Sequence, residues 1–498
     1  MKKNILLSFA LAATLFVSAQ QKNNLLEQSF WKTAPDVATV KAEIEKGNNP
    51  AESNANAFDA VVIAINNDAP LASIKFLLDQ PGNPLNKPTH DNRIYLHWAA
   101  YRGNTELVEY LISKGSDINF EDSHGTTPIA FAAGSGLLNS GVAEAFFKAG
   151  IDPKKKYSDG ANLLLIAIPF DKDLTLTNYF ITKGLSLKDT DSNGKTAFDY
   201  AARTGNVALL KKLLEKGVKP TDNALLVATQ GTRRETTPLE AYKYLVEEVK
   251  LKATFTNKSG ENVLHLLAGK QNQTEIINYF LGKGVDANQV SKDGNTPVMI
   301  AAGARETAVL EQLLPKVKNI NLQNLKGESA LTMAVRSGTP EAVALLLNKG
   351  ADVNVKDKDA NNLGVYLIQS YRPAGRGEAN AAKDPFEAKV KLLQDKGLNL
   401  AAAQKDGSTL YHFAIAKNDL ALLKKLASLN IDINAKNKDG LTALHKAAMV
   451  AKDDTILKYL VSLGAKKDIN TEFDESAYAL AKENESLTKN NVSVEFLK

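Results

Sequence analysis

The 498-residue chain contains no cysteine. Disulfides, thiolate zinc sites, iron–sulfur clusters and cysteine nucleophiles are thereby excluded. It has little excess charge of either sign, with 61 Lys and Arg against 56 Asp and Glu, a net of +5. Nucleic-acid binders concentrate basic residues into a stripe, and no such run stands in the sequence, so no nucleic-acid partner is expected. Beyond residue 19 no segment approaches 18 consecutive apolar residues, so no membrane insertion of the mature chain is expected. Gly (31) and Pro (16) are too few for a collagen-like chain, and 44% hydrophobic residues are too many for a disordered one.

The first 19 residues, MKKNILLSFALAATLFVSA, have the layout of an export signal. Lys2 and Lys3 form the charged head, Ile5 to Val17 the apolar run, and Ser18 and Ala19 the small residues before a cut. The apolar run is too short to span a bilayer. Cleavage is expected near Ala19, giving a periplasmic or secreted protein, and the short basic head suggests a bacterial source.

The rest of the chain is one sentence repeated. Glycine falls at 125, 160, 194, 260, 294, 327, 407 and 440, at steps of 33–35 residues interrupted by gaps of 66 and 80. After each glycine comes a variant of one phrase: GLTALHKAA at 440, GSTLYHFAI at 407, GENVLHLLA at 260, GNTPVMIAA at 294 and GKTAFDYAA at 194. NRIYLHWAA at 92 is a version without the glycine. Each phrase predicts a short Ala-rich helix, which lets neighbouring pairs approach closely. A second helix follows, with an apolar face carried by pairs such as Leu213–Leu214 and Leu346–Leu347. Gly217, Gly284 and Gly350 suit its left-handed C-terminal cap, and Asp-Gly at 293, 406 and 439 marks projecting turns. A two-helix unit of this size cannot bury its apolar face alone, so units must stack.

A period near 33 with a T-P-L-H-like opening resembles the ankyrin-repeat family over nearly all of the mature chain. The resemblance implies an all-α repeat solenoid. Each unit is a helix-turn-helix plus a β-hairpin or loop, and about fourteen units form one curved superhelical array. The expected divisions are the signal at 1–19, an N-terminal capping repeat at 20–56, repeat blocks at 57–220 and 221–472, and a C-terminal capping repeat at 473–498. The boundary near 220 rests on a hairpin about six residues short in GVKPTDNALLVA.

No residue pattern points to catalysis or to a resident cofactor or metal. His97, His265, His412 and His445 share one register, five after the turn glycine position, and in the resembled family this histidine bonds between units. On separate units they cannot converge on one ion. His90 and His124 are placed at hairpin tips. Asp189, Asp191, Asn193 and Gly194 open like a calcium loop, as do Asp357, Asp359 and Asn361. The twelfth positions are Tyr200 and Ile368 instead of a bidentate Glu. No G-x-S-x-G, Walker-type or H-E-x-x-H motif occurs.

The resemblance implies a non-enzymatic, monomeric scaffold binding a protein partner on a concave face of hairpin tips and first helices. Carried to this chain, candidates are Arg93 and Lys195 one residue after the turn glycine position, beside Glu261 and Glu328. Tyr101, Arg203 and Arg336 stand nine after it. Arg and Tyr are the contact-prone types. Tyr371, Arg372 and Arg376 are added from YRPAGRGEANAAKDP at 371–385, an insertion between the helices of one unit. Alternative roles are a secreted effector acting on host proteins and a periplasmic accessory of oxidative-stress defence.

Overall fold

The computed structural model describes residues 22–232, 235–373 and 385–498. The export-signal reading at 1–19 and most of the 371–385 insertion, Arg376 included, lie outside the described residues. The described chain holds 28 α-helices in consecutive antiparallel pairs, fourteen in all. It contains no β-strand among the described residues, only isolated bridges such as Ser53 with Asp59 and Thr190 with Thr196. The projecting connections are therefore loops, not extended hairpins.

Many first helices start on a polar cap. Asp59, Asn162, Thr196, Asn262, Thr296, Ser329 and Thr442 accept the backbone N–H three residues on. The helices are short and line one another with buried alanine, Ala99 and Ala100 facing Ala132 and Ala133, and Ala301 and Ala302 leading to Ala334. Gly338 shows how tight this packing is. A Cβ there would lie 2.1 Å from the Ala302 carbonyl oxygen.

Second helices bury one face at helical spacing: Leu107, Val108 and Leu111; Leu209, Leu210 and Leu213; Val343, Leu346 and Leu347. Many end in Lys-Gly, as at Lys114–Gly115, Lys216–Gly217 and Lys349–Gly350. The lysine complements the helix dipole and the glycine takes the left-handed cap.

The loops follow one design. An Asp or Asn side chain closes the turn on two backbone N–H groups: Asp122 on His124 and Thr126, Asp191 on Asn193 and Lys195, Asp357 on Asp359 and Asn361. A single backbone bond then ties tip to tip, Lys292 N–H to the Ser259 carbonyl (2.8 Å), Leu325 to Asp293 (2.9 Å) and Lys358 to Lys326 (3.0 Å). With the turn closed by side chains and one bond per neighbour, no ladder forms. A second clasp comes from asparagine. Asn288 donates to the Lys316 carbonyl (2.9 Å) and accepts the Lys318 N–H (2.9 Å), and Asn434 spans to Gly464 and Lys466 in the same way.

The helix pairs fall into two compact units. One comprises the described residues through Ala202 with Asn206–Pro220, the other Arg203–Gly205 with Thr221–Lys498. Within the second unit, the pair that opens at Asn223–Ala228 has no projecting tip, because its helix starts directly after Thr221 and Asp222.

At the tip of the ninth pair Gly294 sits at φ +83°, and a Cβ there would lie 2.7 Å from the Leu325 nitrogen that bonds to Asp293. Gly294→Ala is therefore expected to destabilise the second unit by about 1–3 kcal/mol, through both φ strain and displacement of the next tip. Urea unfolding of the substituted chain measures it, and an unchanged midpoint would contradict the tip-to-tip coupling.

Candidate interaction surface

The four in-register histidines are buried linkers. The Nδ1 of His97, His412 and His445 accepts the N–H of the residue three before it, Ile94 (3.3 Å), Thr409 (3.0 Å) and Thr442 (3.1 Å). The proton therefore sits on Nε2, which donates to a carbonyl of the following unit: Thr126 (3.0 Å), Leu441 (2.9 Å) and Ile469 (2.9 Å). His265 reaches the Asn295 carbonyl at 3.2 Å. Burial pushes the pKa of all four down, His97 to about 4. A ring working as a neutral capping acceptor and inter-unit donor has no electron pair left for a metal.

The candidate contact residues divide by environment. Arg93 is drawn inward, donating to Asp122 (2.9 Å) and Asp91 (2.9 Å) with its guanidinium 4.2 Å from the Phe131 ring centre. Tyr101 is half-buried and stacks on Phe131 at 5.3 Å. Lys195 lies 3.7 Å from Asp191. Arg203 donates to the Gly231 carbonyl (3.0 Å), and burial lowers its pKa. Arg336 is ion-paired to Glu328 and lies 5.9 Å from the Tyr366 ring centre. Tyr371 is buried, donating to Asp419 (3.0 Å) and meeting Phe386 edge-on. Arg372 is exposed and donates to the Gln369 and Tyr371 carbonyls.

A register that sequence reasoning passed over forms the more continuous surface. Six residues after the turn glycine stand Phe131, Ile166 and Tyr200 in the first unit, and Leu266, Ile300, Met333 and Phe413 in the second, all half-buried. In the first unit this row joins an aromatic run, Phe58 to Trp98 (5.5 Å), Trp98 to Phe131 (5.9 Å) and on to Tyr101. In the second it borders two adjoining depressions. One, of about 220 Å³, is floored by Gly269, Ile300, Gly303 and Met333. The other, about 380 Å³, is lined by Glu328, Asp357, Tyr366 and Gln369, and Arg336 lines both. Glycine at 269 keeps the first open, since a Cβ there would stand 3.3 Å from Ile300. The signal was present in the sequence as an apolar residue at a fixed offset.

Also unanticipated are triplets joining neighbouring second helices. Tyr179 donates to Glu144 (2.6 Å), which pairs with Lys183 (2.6 Å). Tyr279 donates to Glu247 (3.0 Å), which pairs with Lys283 (2.9 Å). The recurring N-Y-F-x-x-K-G at 178 and 278 is their sequence trace.

Stacked helix pairs, left-handed caps, projecting tips and a recurring half-buried side chain on the first helices of each unit define a repeat solenoid built as a binding scaffold. The model of the family described as ankyrin repeats (3 copies) matches residues 61–157, 264–357 and 379–472, and the chain belongs to this family. It is 24% identical over 426 residues to the human transient receptor potential cation channel subfamily A member 1, covering 76% of this chain and 37% of that protein. It is 27% identical over 296 residues to alpha-latroinsectotoxin-Lt1a of Latrodectus tredecimguttatus (55% and 20%). To the neurogenic locus notch homolog protein 1 of Xenopus tropicalis it is 30% identical over 212 residues (40% and 8%). The chain thus spans well under half the length of each of these relatives. Repeats of this family are protein-interaction elements.

Two outcomes follow from this geometry. The histidines are neutral when folded, whereas in the unfolded chain they take up a proton near pH 6.5. Their contribution is complete above that pH and is lost as pH falls toward the folded values, by up to about 1.4 kcal/mol per histidine per pH unit. The urea midpoint should therefore drop between pH 7 and 5.5, and less steeply in His97→Gln; equal slopes would contradict the assignment. Arg93→Ala, which leaves the buried Asp122 carboxylate without its cation, should cost about 3 kcal/mol. Arg372→Ala, at an exposed side chain, should stay within about 0.5 kcal/mol, both read by denaturant unfolding.

Proposed function

We propose that this chain is an exported, non-enzymatic scaffold of bacterial origin that holds a protein partner along its first helices and loop tips. The observation that carries this reading is the half-exposed apolar side chain recurring at one register within each unit, Phe131, Ile166 and Tyr200 in the first and Leu266, Ile300, Met333 and Phe413 in the second. A side chain left half in water in unit after unit gains burial only when another surface covers it, and about 25 cal/mol per Å² of apolar area is available for that. The depressions at Arg336 offer one apolar seat beside one polar seat, which supports recognition of alternating side chains on a partner segment. Because helices and caps hold the row in place, little ordering cost is incurred on binding.

Export rests on the basic head and apolar run of residues 1–19. Release from cells by osmotic shock places the protein in the periplasm, recovery from medium places it outside, and retention with the cytosol would refute this part.

The binding face is tested by affinity capture with the full chain, after crosslinking. A stoichiometric protein recovered by the parent and reduced at least tenfold by Tyr101→Ala with Ile300→Ser, at unchanged melting temperature, is the expected result. Recovery of no such partner, or equal recovery by the substituted chain, would overturn it.

A further inference from the structure

Balanced composition conceals one strongly cationic region, and it lies away from the first-helix row. The last residues of the second helices and the loops that follow them in three consecutive pairs of the first unit, residues 148–156, 181–189 and 211–220, carry ten lysines against three acidic residues. That is a local excess of seven positive charges in a chain whose entire net charge is +5. The sequence spreads these lysines over more than 70 residues, with Lys154–Lys156 their one short run; stacking brings them together. A Cβ on Gly184 would lie 2.8 Å from the Lys154 Cε, which shows the first loop crossing the second. The second and third enclose a depression of about 200 Å³ between them.

Some of these charges are held by neighbours, and one of them, Lys183, is neutralised. Glu144 holds Lys183, Lys155 donates to Asn119, Lys212 donates to the Lys172 carbonyl, and the Asp189 carboxylate accepts from Asn162 and the Ser186 N–H. Lys154, Lys156, Lys188, Lys216 and Lys219 remain exposed, and none forms an ion pair with a described residue. Two of them, Lys188 and Lys216, rim the depression, and its floor is aliphatic: Ile181, Leu185, Leu187 and Val218. Ile181 is 42% exposed, unusual for a large apolar side chain here.

We propose that this region is a second docking surface, for an acidic segment of a partner protein that places one aliphatic side chain between Lys188 and Lys216. Charge decides the sign of the partner, and the depression decides its class. A volume near 200 Å³ takes one side chain of leucine size. Single-stranded nucleic acid requires aromatic platforms for its bases, and this floor offers none. A membrane surface is served by a broad insertion face, whereas here one small half-open seat lies between flanking cations. Exposed cations around a small apolar seat match recognition of acidic motifs anchored by one apolar residue. This surface is independent of the first-helix row.

The test uses the full chain and a fluorescein-labelled heptapeptide with six Asp or Glu residues around a central Leu, followed by anisotropy. Binding should weaken at least tenfold in Lys188→Glu with Lys216→Glu, and at least tenfold between 50 and 300 mM NaCl. It should weaken at least fivefold when the peptide carries Ala in place of Leu. Ile300→Ser, on the first-helix row, should leave it unchanged, so that failure of one surface is distinguishable from failure of the other. Both charge-reversed positions are exposed, and an unchanged melting curve checks that the fold survives. Equal binding by parent and charge-reversed chains, or by Leu and Ala peptides, would overturn the proposal. So would tighter binding to phosphatidylserine vesicles or to a 20-nucleotide single strand than to the peptide.

Discussion

No helix pair in this chain can bury its own apolar face, and every other feature of the structure answers that constraint. Leu107, Val108 and Leu111, or Val343, Leu346 and Leu347, are sealed only because a neighbouring pair lies against them. Alanine on the first helices brings neighbours close, and Gly338 marks the point where even a methyl group would not fit. Polar groups then make each junction specific. A histidine Nε2, a tip N–H or an asparagine side chain crosses to the following pair, so slipping one pair against the next would leave buried donors unpaired. With stability distributed over many junctions, a chain of this length needs neither one large core nor a disulfide.

The same arrangement leaves two kinds of surface over. The first helices show neighbours only part of their circumference, and the residue six after each turn glycine faces outward in every copy. The loops after the second helices are tied to their neighbours by a few bonds, such as the Asn288 and Asn434 clasps, which leave most of their side chains free to differ from pair to pair. The first kind is constant in register and mostly apolar, Lys446 being the exception; the second is variable and collects the lysines of residues 148–219. Partner recognition on a repeat scaffold therefore has two independent levers, one set by periodicity and one by local substitutions.

Much of the fold was legible because its determinants are local and periodic. The glycine steps, the Ser, Thr, Asn and Asp caps and the apolar spacing placed the pairs, and the register of His97, His265, His412 and His445 carried their linking role. The projecting connections were left open as β-hairpin or loop; side chains such as Asp122, Asp191 and Asp357 close those turns, and among the described residues no ladder forms. What the sequence did not disclose were environments created by neighbours. Arg93 reads as a surface arginine until Asp122, 29 residues later, is brought beneath it. Tyr371 stands in an insertion that reads as exposed, yet it lies under Asp419 and Phe386, 48 and 15 residues on. The lysine-rich loops carry one short lysine run among dispersed single lysines, and only stacking turns three of them into one surface.

The account's central claim is that the half-exposed row on the first helices is where a protein partner sits. A photo-crosslinking amino acid placed at position 300, and separately at the exposed Lys349 position at a second-helix terminus, tests it most directly in living cells. The account predicts a discrete crosslinked protein from position 300 that is absent from position 349. The same bands from both positions, or none from position 300, would contradict it.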